Sequence, residues 1–363
     1  MTGLASVVDK QGREWALQRW VKQQLGLQQE HTGGWPAGWH WSVASADASF
    51  RRYFRLSTDG GRSWIAADAP PATENNQAFV ALAQHWRDSK LPVPEVLGWD
   101  YQQGFLLLED LGDCDLASQI QPQNAVQQYQ RALQLLPLLA VQSDPLAYPL
   151  PQYDAKMLAF ELGIFQEWVL ERELCWPPGE WLQTYQQAQD YLIDAALSQP
   201  QVCVHRDFHS RNLMLDPQGQ LRLIDIQGAV RGPLAYDAVS LLRDCYLRWP
   251  VTLVQSLRQE AEALYRQAGV LTSEHSSADF ERWFDLIGVQ RHLKAVGLFI
   301  RLARRDGKPG YLDAIPRTLS YVVEQCQRYA GLHALGAMLQ QQVIPALQHS
   351  GMFSCEAQKD WIL

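Results

Sequence analysis

Cysteine is sparse here and never clusters. The six cysteines, Cys114, Cys175, Cys203, Cys245, Cys326 and Cys355, include no pair at Cys-X-X-Cys spacing and none in a Cys/His group. A zinc framework or a disulfide scaffold is thereby excluded, and reduced thiols are expected. Long apolar runs are missing as well. The longest, such as 135–141, fall far short of the ~20 residues that span a bilayer. The first residues lack a basic segment followed by an apolar stretch of signal length, so a cytoplasmic chain with no membrane partner is expected. Charge is also low: Asp, Glu, Lys and Arg make up 19%, against about 25% in an average soluble chain. Lys plus Arg is 31 and Asp plus Glu is 39, which gives a net charge of −8. A nucleic-acid binder needs a concentrated basic patch, so no such partner is expected. No obligate protein partner is evident. There is no internal repeat, no G-x-G-x-x-G and no Walker A loop.

What is present suits a folded, two-part chain. Hydrophobic residues make up 47% of 363 residues, enough for about two domains at ~150 residues each. Leu17, Trp20, Val21 and Leu25 follow helical spacing and predict a helix over 13–28. Thr32-Gly33-Gly34-Trp35-Pro36 reads as loop. Residues 41–57, the Asp59-Gly60-Gly61 turn and Trp64-Ile65-Ala66-Ala67 predict a hairpin. Phe79, Leu82, Ala83 and Trp86 mark a second helix. Residues 93–99 and 104–108 predict two more strands. Leu106-Leu107-Leu108 shows no alternation, so that strand should be buried on both faces.

After Gly112 the pattern turns helical, over roughly 122–142, 153–175, 180–198, 234–247, 251–268, 279–305 and 317–347. A β-like island at 202–227 interrupts it, with Asp216-Pro217-Gln218-Gly219 as a hairpin turn. The predicted fold class is α+β: a small antiparallel-sheet N-lobe over 1–110 and a large, mainly helical C-lobe over 111–363.

The densest polar cluster is Val204-His205-Arg206-Asp207-Phe208-His209-Ser210-Arg211-Asn212. Across the hairpin it is followed by Leu223-Ile224-Asp225-Ile226-Gln227-Gly228. Polar groups this close to apolar strands need partners, because burying them unpaired costs free energy. Phosphoryl transfer supplies a reason. It needs a carboxylate to orient and deprotonate a hydroxyl, and oxygen ligands to hold Mg²⁺ on phosphates. Asp207 and Asn212 offer base and amide ligand in one loop, and Asp225 adds a hard carboxylate.

The spacing of His205-Arg206-Asp207 to Asn212, with Asp225 after it, resembles the protein-kinase catalytic loop and its metal-binding Asp. His209, two residues after Asp207, instead resembles the aminoglycoside and choline phosphotransferase branch. Further segments, in order, are Ala48-Ser49-Phe50-Arg51-Arg52-Tyr53-Phe54-Arg55, Asp68-Ala69-Pro70-Pro71, and Gly104-Phe105-Leu106-Leu107-Leu108-Glu109-Asp110-Leu111-Gly112. They continue with Gly232-Pro233, Tyr236-Asp237, Ser240-Leu241-Leu242-Arg243-Asp244, Gln290-Arg291-His292-Leu293-Lys294 and Arg304-Arg305-Asp306-Gly307-Lys308. From about residue 45 to 320 this series is similar to the bacterial N-acetylmuramate/N-acetylglucosamine anomeric kinases of cell-wall sugar recycling.

The resemblance implies a two-lobed protein-kinase-like fold using ATP and Mg²⁺ on a small sugar. Asp207 would be the catalytic base, and Asn212 and Asp225 the metal ligands. His205, Arg206, His209 and Asp237 would support the catalytic loop, His209 either touching substrate or bracing Asp207. The backbone of Glu109 and Leu111 would bind adenine, and Ser49, Arg51 and Arg52 would lie over the phosphates.

Two departures stand out. The strand that should carry the phosphate-binding lysine reads Trp64-Ile65-Ala66-Ala67-Asp68, so Arg51 or Arg52 is expected to substitute, and Glu74 would lack its usual lysine. Gly228 stands where relatives often carry Asp. Two other readings stay open. One is the same chemistry on an aminoglycoside or amino alcohol. The other is a nucleotide-binding pseudokinase, motivated by the missing lysine. Arg291, Lys294, Arg301 and Arg305 share a helix face that is either solvated or turned to substrate. Trp35, Trp39 and Trp41 either stack on a sugar or pack a loop.

Overall fold

The computed structural model describes residues 2–27, 34–45 and 51–361. Nine strands lie among them: β1 (Trp39–Ser45), β2 (Arg52–Thr58), β3 (Ser63–Asp68), β4 (Val96–Asp100), β5 (Phe105–Glu109), β6 (Gln201–Val204), β7 (Leu213–Leu215), β8 (Leu221–Leu223) and β9 (Val230–Pro233). The α-helices begin with α1 (Thr2–Gln24), α2 (Asn76–Asp88), α3 (Leu116–Gln119), α4 (Ala125–Leu133), α5 (Leu135–Ala140), α6 (Ala155–Phe165) and α7 (Glu180–Leu197). They continue with α8 (Tyr236–Leu242), α9 (Val251–Gln267), α10 (Ser277–Arg304), α11 (Ile315–Cys326), α12 (His333–Met338) and α13 (Ile344–His349). Among the described residues no helix is long and apolar enough to cross a membrane. The chain forms two compact units. One comprises Met1–Cys114, Asp144–Pro149 and Met214–Gln227, and the other Asp115–Ser143, Leu150–Leu213 and Gly228–Leu363. The chain thus enters the first unit three times.

The first unit is built on an antiparallel sheet in the order β1-β2-β3-β5-β4. The β2–β3 hairpin pairs Arg52 with Asp68 and Tyr53 with Ala67. Gly61 closes its turn at φ +78, a left-handed conformation that glycine adopts without penalty. Strand β5 lies between β3 and β4. Phe105 to Leu108 are all buried, which is why that run shows no alternation. Its start is fixed by Gly104 at φ +72, where a Cβ would lie 2.1 Å from the Ala69 carbonyl oxygen. Helix α2 buries Phe79, Leu82, Ala83 and Trp86, and Asn75 caps it by accepting from the Ala78 N–H.

Helix α1 covers this sheet. It starts at Thr2, well before the predicted residue 13, and is followed by Gly26 at φ +66. Leu17, Trp20 and Val21 pack on Phe54, Leu56, Ala66, Phe105 and Leu107. Trp35, Trp39 and Trp41 join that core. Trp35 stacks on Trp41 at 5.4 Å, Trp39 on Trp64 at 5.6 Å, and Trp41 on Phe54 at 5.1 Å. Of the two readings for these tryptophans, packing is the one the structure adopts. Residues 32–33 of the predicted loop lie outside the described residues.

The second unit packs around α10, a 28-residue helix opened by a Ser276/Asp279 capping box. Leu286, Val289, Leu293, Val296 and Ile300 form its core stripe against Leu162, Phe165, Leu319 and Val322. At Gly297 a Cβ would lie 2.7 Å from the Ile164 backbone, so only glycine lets α6 cross so close. The predicted helix over 122–142 is divided into α4 and α5 at Gln134, and that over 317–347 breaks between Cys326 and His333. Strand β9, which pairs antiparallel with β6, carries no period-2 signal in Val230-Arg231-Gly232-Pro233 and was not expected.

Candidate active site

Strand β6 delivers the polar loop 205–212, and Asp237 near the start of α8 fixes its backbone. Asp237 Oδ2 accepts from the His205 N–H at 2.7 Å, and Oδ1 from the Arg206 N–H at 3.0 Å. Burial pushes this carboxyl up to about 7 in spite of those two donors. Arg206 sits at φ +73. That conformation is strained for a long side chain, and such strain concentrates at functional sites. Its guanidinium is held by Glu161, and Nη1 reaches the Gly228 carbonyl at 3.3 Å.

Glu161 is the buried hub of this half. Besides Arg206 it takes Lys294 Nζ at 3.0 Å, Gln290 Nε2 at 3.1 Å and the Tyr153 hydroxyl. Burial alone would raise Glu161, yet Lys294 and Arg206 hold it below its ordinary value. Asp207 is half-buried. Burial would raise it too, but Lys294, then His209, Arg206 and His205, bring it below the usual carboxylate range. It is therefore ionised at neutral pH.

The loop returns on itself. His209 N–H donates to the Asp207 carbonyl at 3.0 Å, and Asn212 Nδ2 donates to the same oxygen at 3.0 Å. With its NH₂ group on that carbonyl, the Asn212 amide directs Oδ1 away from it. Oδ1 is the atom a hard cation would take. His205 is fully buried, edge-on to Phe208 at 6.1 Å. Ser210 is anchored through its N–H (3.1 Å) and Oγ (2.5 Å) to Asp244 Oδ2. At Gly228 a Cβ would meet Asp207 Oδ2 at 3.6 Å, so a side chain there would stand beside the carboxylate.

The first unit holds the remaining sequence-predicted residues. Arg51, buried just before β2, places Nε 2.9 Å from Glu74 Oε2, with its guanidinium over the Phe79 ring at 5.2 Å. Tyr53 lies beside this pair and beside Asp225. Burial raises its hydroxyl, Arg51 acts to lower it, and Asp225 and Glu74 act to raise it. Asp225 adopts φ +62 and accepts from Gln227 Nε2 at 2.5 Å. Arg51 and Arg52 therefore part company. Arg52 donates to Asp68 Oδ2 through Nε (3.1 Å) and Nη2 (2.6 Å), and Arg13 Nε holds the other oxygen at 2.9 Å. The Glu109 carboxylate holds Arg222 at 2.6 and 3.0 Å, and its backbone N–H donates to Glu95. Leu111 is buried in the turn that Asp110 Oδ1 closes on the Gly112 N–H at 3.0 Å. Ser49 lies outside the described residues.

The basic face of α10 splits. Arg291 is sealed in against Cys245 Sγ at 3.6 Å, Lys294 serves Glu161, and Arg305 pairs with Asp306. No role for Glu161 was read from the sequence. Its signal was present, since it is a lone acid in the apolar run Met157 to Phe165. A charge buried in that way demands a cation.

Comparison with known proteins identifies the family. Residues 40–272 match the signature of a phosphotransferase enzyme family. A Pseudomonas putida protein named N-acetylmuramate/N-acetylglucosamine kinase is 38% identical over 88% of this chain and 94% of its own length. A Pseudomonas aeruginosa protein of the same name is 40% identical over 82% of this chain and 86% of its own. Among solved structures, a Plasmodium vivax ethanolamine kinase superposes with a TM-score of 0.59 at 9% identity, over 80% of this chain and 82% of that one. An ADP-bound aminoglycoside phosphotransferase gives 0.55 at 11% identity, over 85% and 98%. The last two similarities bear on the fold, which is the two-lobed kinase-like one.

Proposed function

This chain belongs to the phosphotransferase enzyme family, and on that premise we propose that it transfers the γ-phosphate of ATP, with Mg²⁺, to the C1 hydroxyl of N-acetylmuramate and N-acetylglucosamine. It is a phosphotransferase with an alcohol group as acceptor. The observation that carries the reading is Asp207, ionised by surrounding cations in a loop whose backbone Asp237 and Asp244 both hold. A carboxylate so placed orients the sugar hydroxyl and accepts its proton as the bond to phosphorus forms. An anomeric hydroxyl is more acidic than an ordinary alcohol, so one carboxylate base suffices.

Asn212 and Asp225 are the proposed magnesium ligands. They offer one amide and one carboxylate oxygen, a small set suited to a cation that takes its other ligands from phosphates and water. When bound, that ion neutralises charge on the transferring phosphoryl group. His205, Arg206, His209 and Asp237 keep the loop in shape, and the Glu109–Leu111 backbone is the proposed adenine contact. Arg51 is proposed to supply the cation that β3 lacks. Its bond to Glu74 reproduces the cation–carboxylate pair that kinases form with a lysine. The motive for a pseudokinase reading, a missing cation, weakens accordingly.

The test follows ADP release with Mg-ATP and N-acetylmuramate, N-acetylglucosamine, kanamycin or choline as acceptor. Turnover on the two sugars is expected. Turnover on kanamycin or choline alone would overturn the sugar assignment. ATP binding with no turnover on any acceptor would restore the pseudokinase.

A further inference from the structure

We propose that Arg211, stacked on Tyr246, receives the carboxylate of an acidic sugar substrate and sets the preference between N-acetylmuramate and uncharged N-acetylglucosamine. The inference rests on the sugar-kinase reading above. Arg211 stands four residues after Asp207 and directly before Asn212, in the single turn Ser210–Asn212. Its guanidinium carbon lies 3.6 Å from the centroid of the Tyr246 ring, in direct contact.

Both sides of this stack are anchored by one buried carboxylate. Asp244 Oδ2 accepts from Ser210, the residue before Arg211, and Oδ1 accepts from the Tyr246 N–H at 2.9 Å. Arg317 donates to the Tyr246 carbonyl, and the ring meets His209 edge-on at 5.7 Å. The arrangement is therefore held in place before any ligand arrives.

Among the described residues no carboxylate takes up the charge. Arg211 is exposed and pairs with no acid among the described residues, whereas its neighbour Arg206 is committed to Glu161. Stacking occupies one face of the guanidinium and leaves its in-plane N–H groups open. Those are the groups that take a carboxylate in a two-point bond. The lactyl group of N-acetylmuramate carries such a carboxylate, and N-acetylglucosamine has none. A protein of net charge −8 repels an anionic substrate at long range, so local capture needs a dedicated cation.

The test is steady-state kinetics of wild type, Arg211→Gln and Arg211→Lys on both sugars, with ATP varied separately. Loss of a charge-assisted two-point bond should raise KM for N-acetylmuramate roughly ten- to a hundred-fold in Arg211→Gln. The rise should be at least ten times that seen with N-acetylglucosamine, with Arg211→Lys between the two enzymes. Equal losses on both sugars, or a matching rise in KM for ATP, would overturn the inference while leaving the sugar-kinase reading intact. Wild-type enzyme that phosphorylates neither sugar overturns both.

Discussion

Arg51 Nε lies 2.9 Å from the Glu74 carboxylate, and that one contact joins the start of β2 to the residues leading into α2. A kinase normally makes this bond from a lysine on the next strand. Here β3 carries no lysine, and its last residue, Asp68, is neutralised by Arg13 and Arg52. On the proposed reading, a cation supplied from just before β2 keeps the charge pair and changes its donor.

Replacing Arg51 tests this relocation. Arg51→Met should raise KM for ATP at least ten-fold and destabilise the protein by ~3–5 kcal/mol, because Glu74 loses that cation in a buried setting. Adding Glu74→Gln should recover much of the stability and none of the ATP affinity. Arg52→Ala should act mainly on thermal stability, through Asp68. An Arg51 variant with unaltered ATP kinetics would reduce the pair to a structural one.

Asp207→Asn removes the proposed base without changing side-chain volume. A fall of about 10²–10⁴ in kcat is expected, with little change in Tm. The measurement is ADP release alongside thermal unfolding, and full activity in this variant would remove Asp207 from its role.

Lys294 is the strongest of the cations that lower Asp207. In Lys294→Met the carboxyl should titrate at higher pH. The acid limb of the kcat/KM profile would then move upward, since Asp207 must be ionised to accept a proton. Lys294→Arg should keep the limb near its wild-type position. An unmoved limb in Lys294→Met would separate Lys294 from the base.

His292 is 1% exposed, with Nε2 2.8 Å from the Arg243 carbonyl and its ring stacked on Tyr321 at 5.1 Å. Burial, together with adjacent Arg291, pushes its pKa down to about 3. The unfolded chain takes up this proton near pH ~6.5 and the native state does not. Stability is therefore full above that pH and declines as pH falls toward 3, by up to ~1.4 kcal/mol per pH unit. Thermal unfolding between pH 7 and 5 should show a steeper decline for wild type than for His292→Gln. Parallel curves would contradict the assignment.

The hairpin, the helix of Phe79 and Trp86, the buried Leu106–Leu108 run and the core stripe of α10 were legible because each is a local pattern. Side-chain period and turn chemistry fix such elements without distant partners. Asp207, Asn212 and Asp225 stand out in the sequence as candidates for a related reason, since kinase spacing is a property of one loop and one hairpin. Strand β9 was hidden because its pairing with β6 is bought by a long-range ladder and not by its own residues. The breaks at Gln134 and after Cys326 lay within runs whose apolar spacing continued past them.

The sequence by itself determined most of the elements, the family resemblance and the candidate reactive groups, because these depend on residue identity at short separation. Only the tertiary structure decided which charges meet. It assigned Arg51 to Glu74 and Arg52 to Asp68, gathered Arg206, Lys294 and Gln290 on Glu161, and left Arg211 on Tyr246 with no acid among the described residues. The physical reason is distance. Adjacent residues in sequence, such as Arg51 and Arg52, can face different neighbours across a sheet. An ion pair is set by a few ångströms of space, a separation that periodicity does not encode.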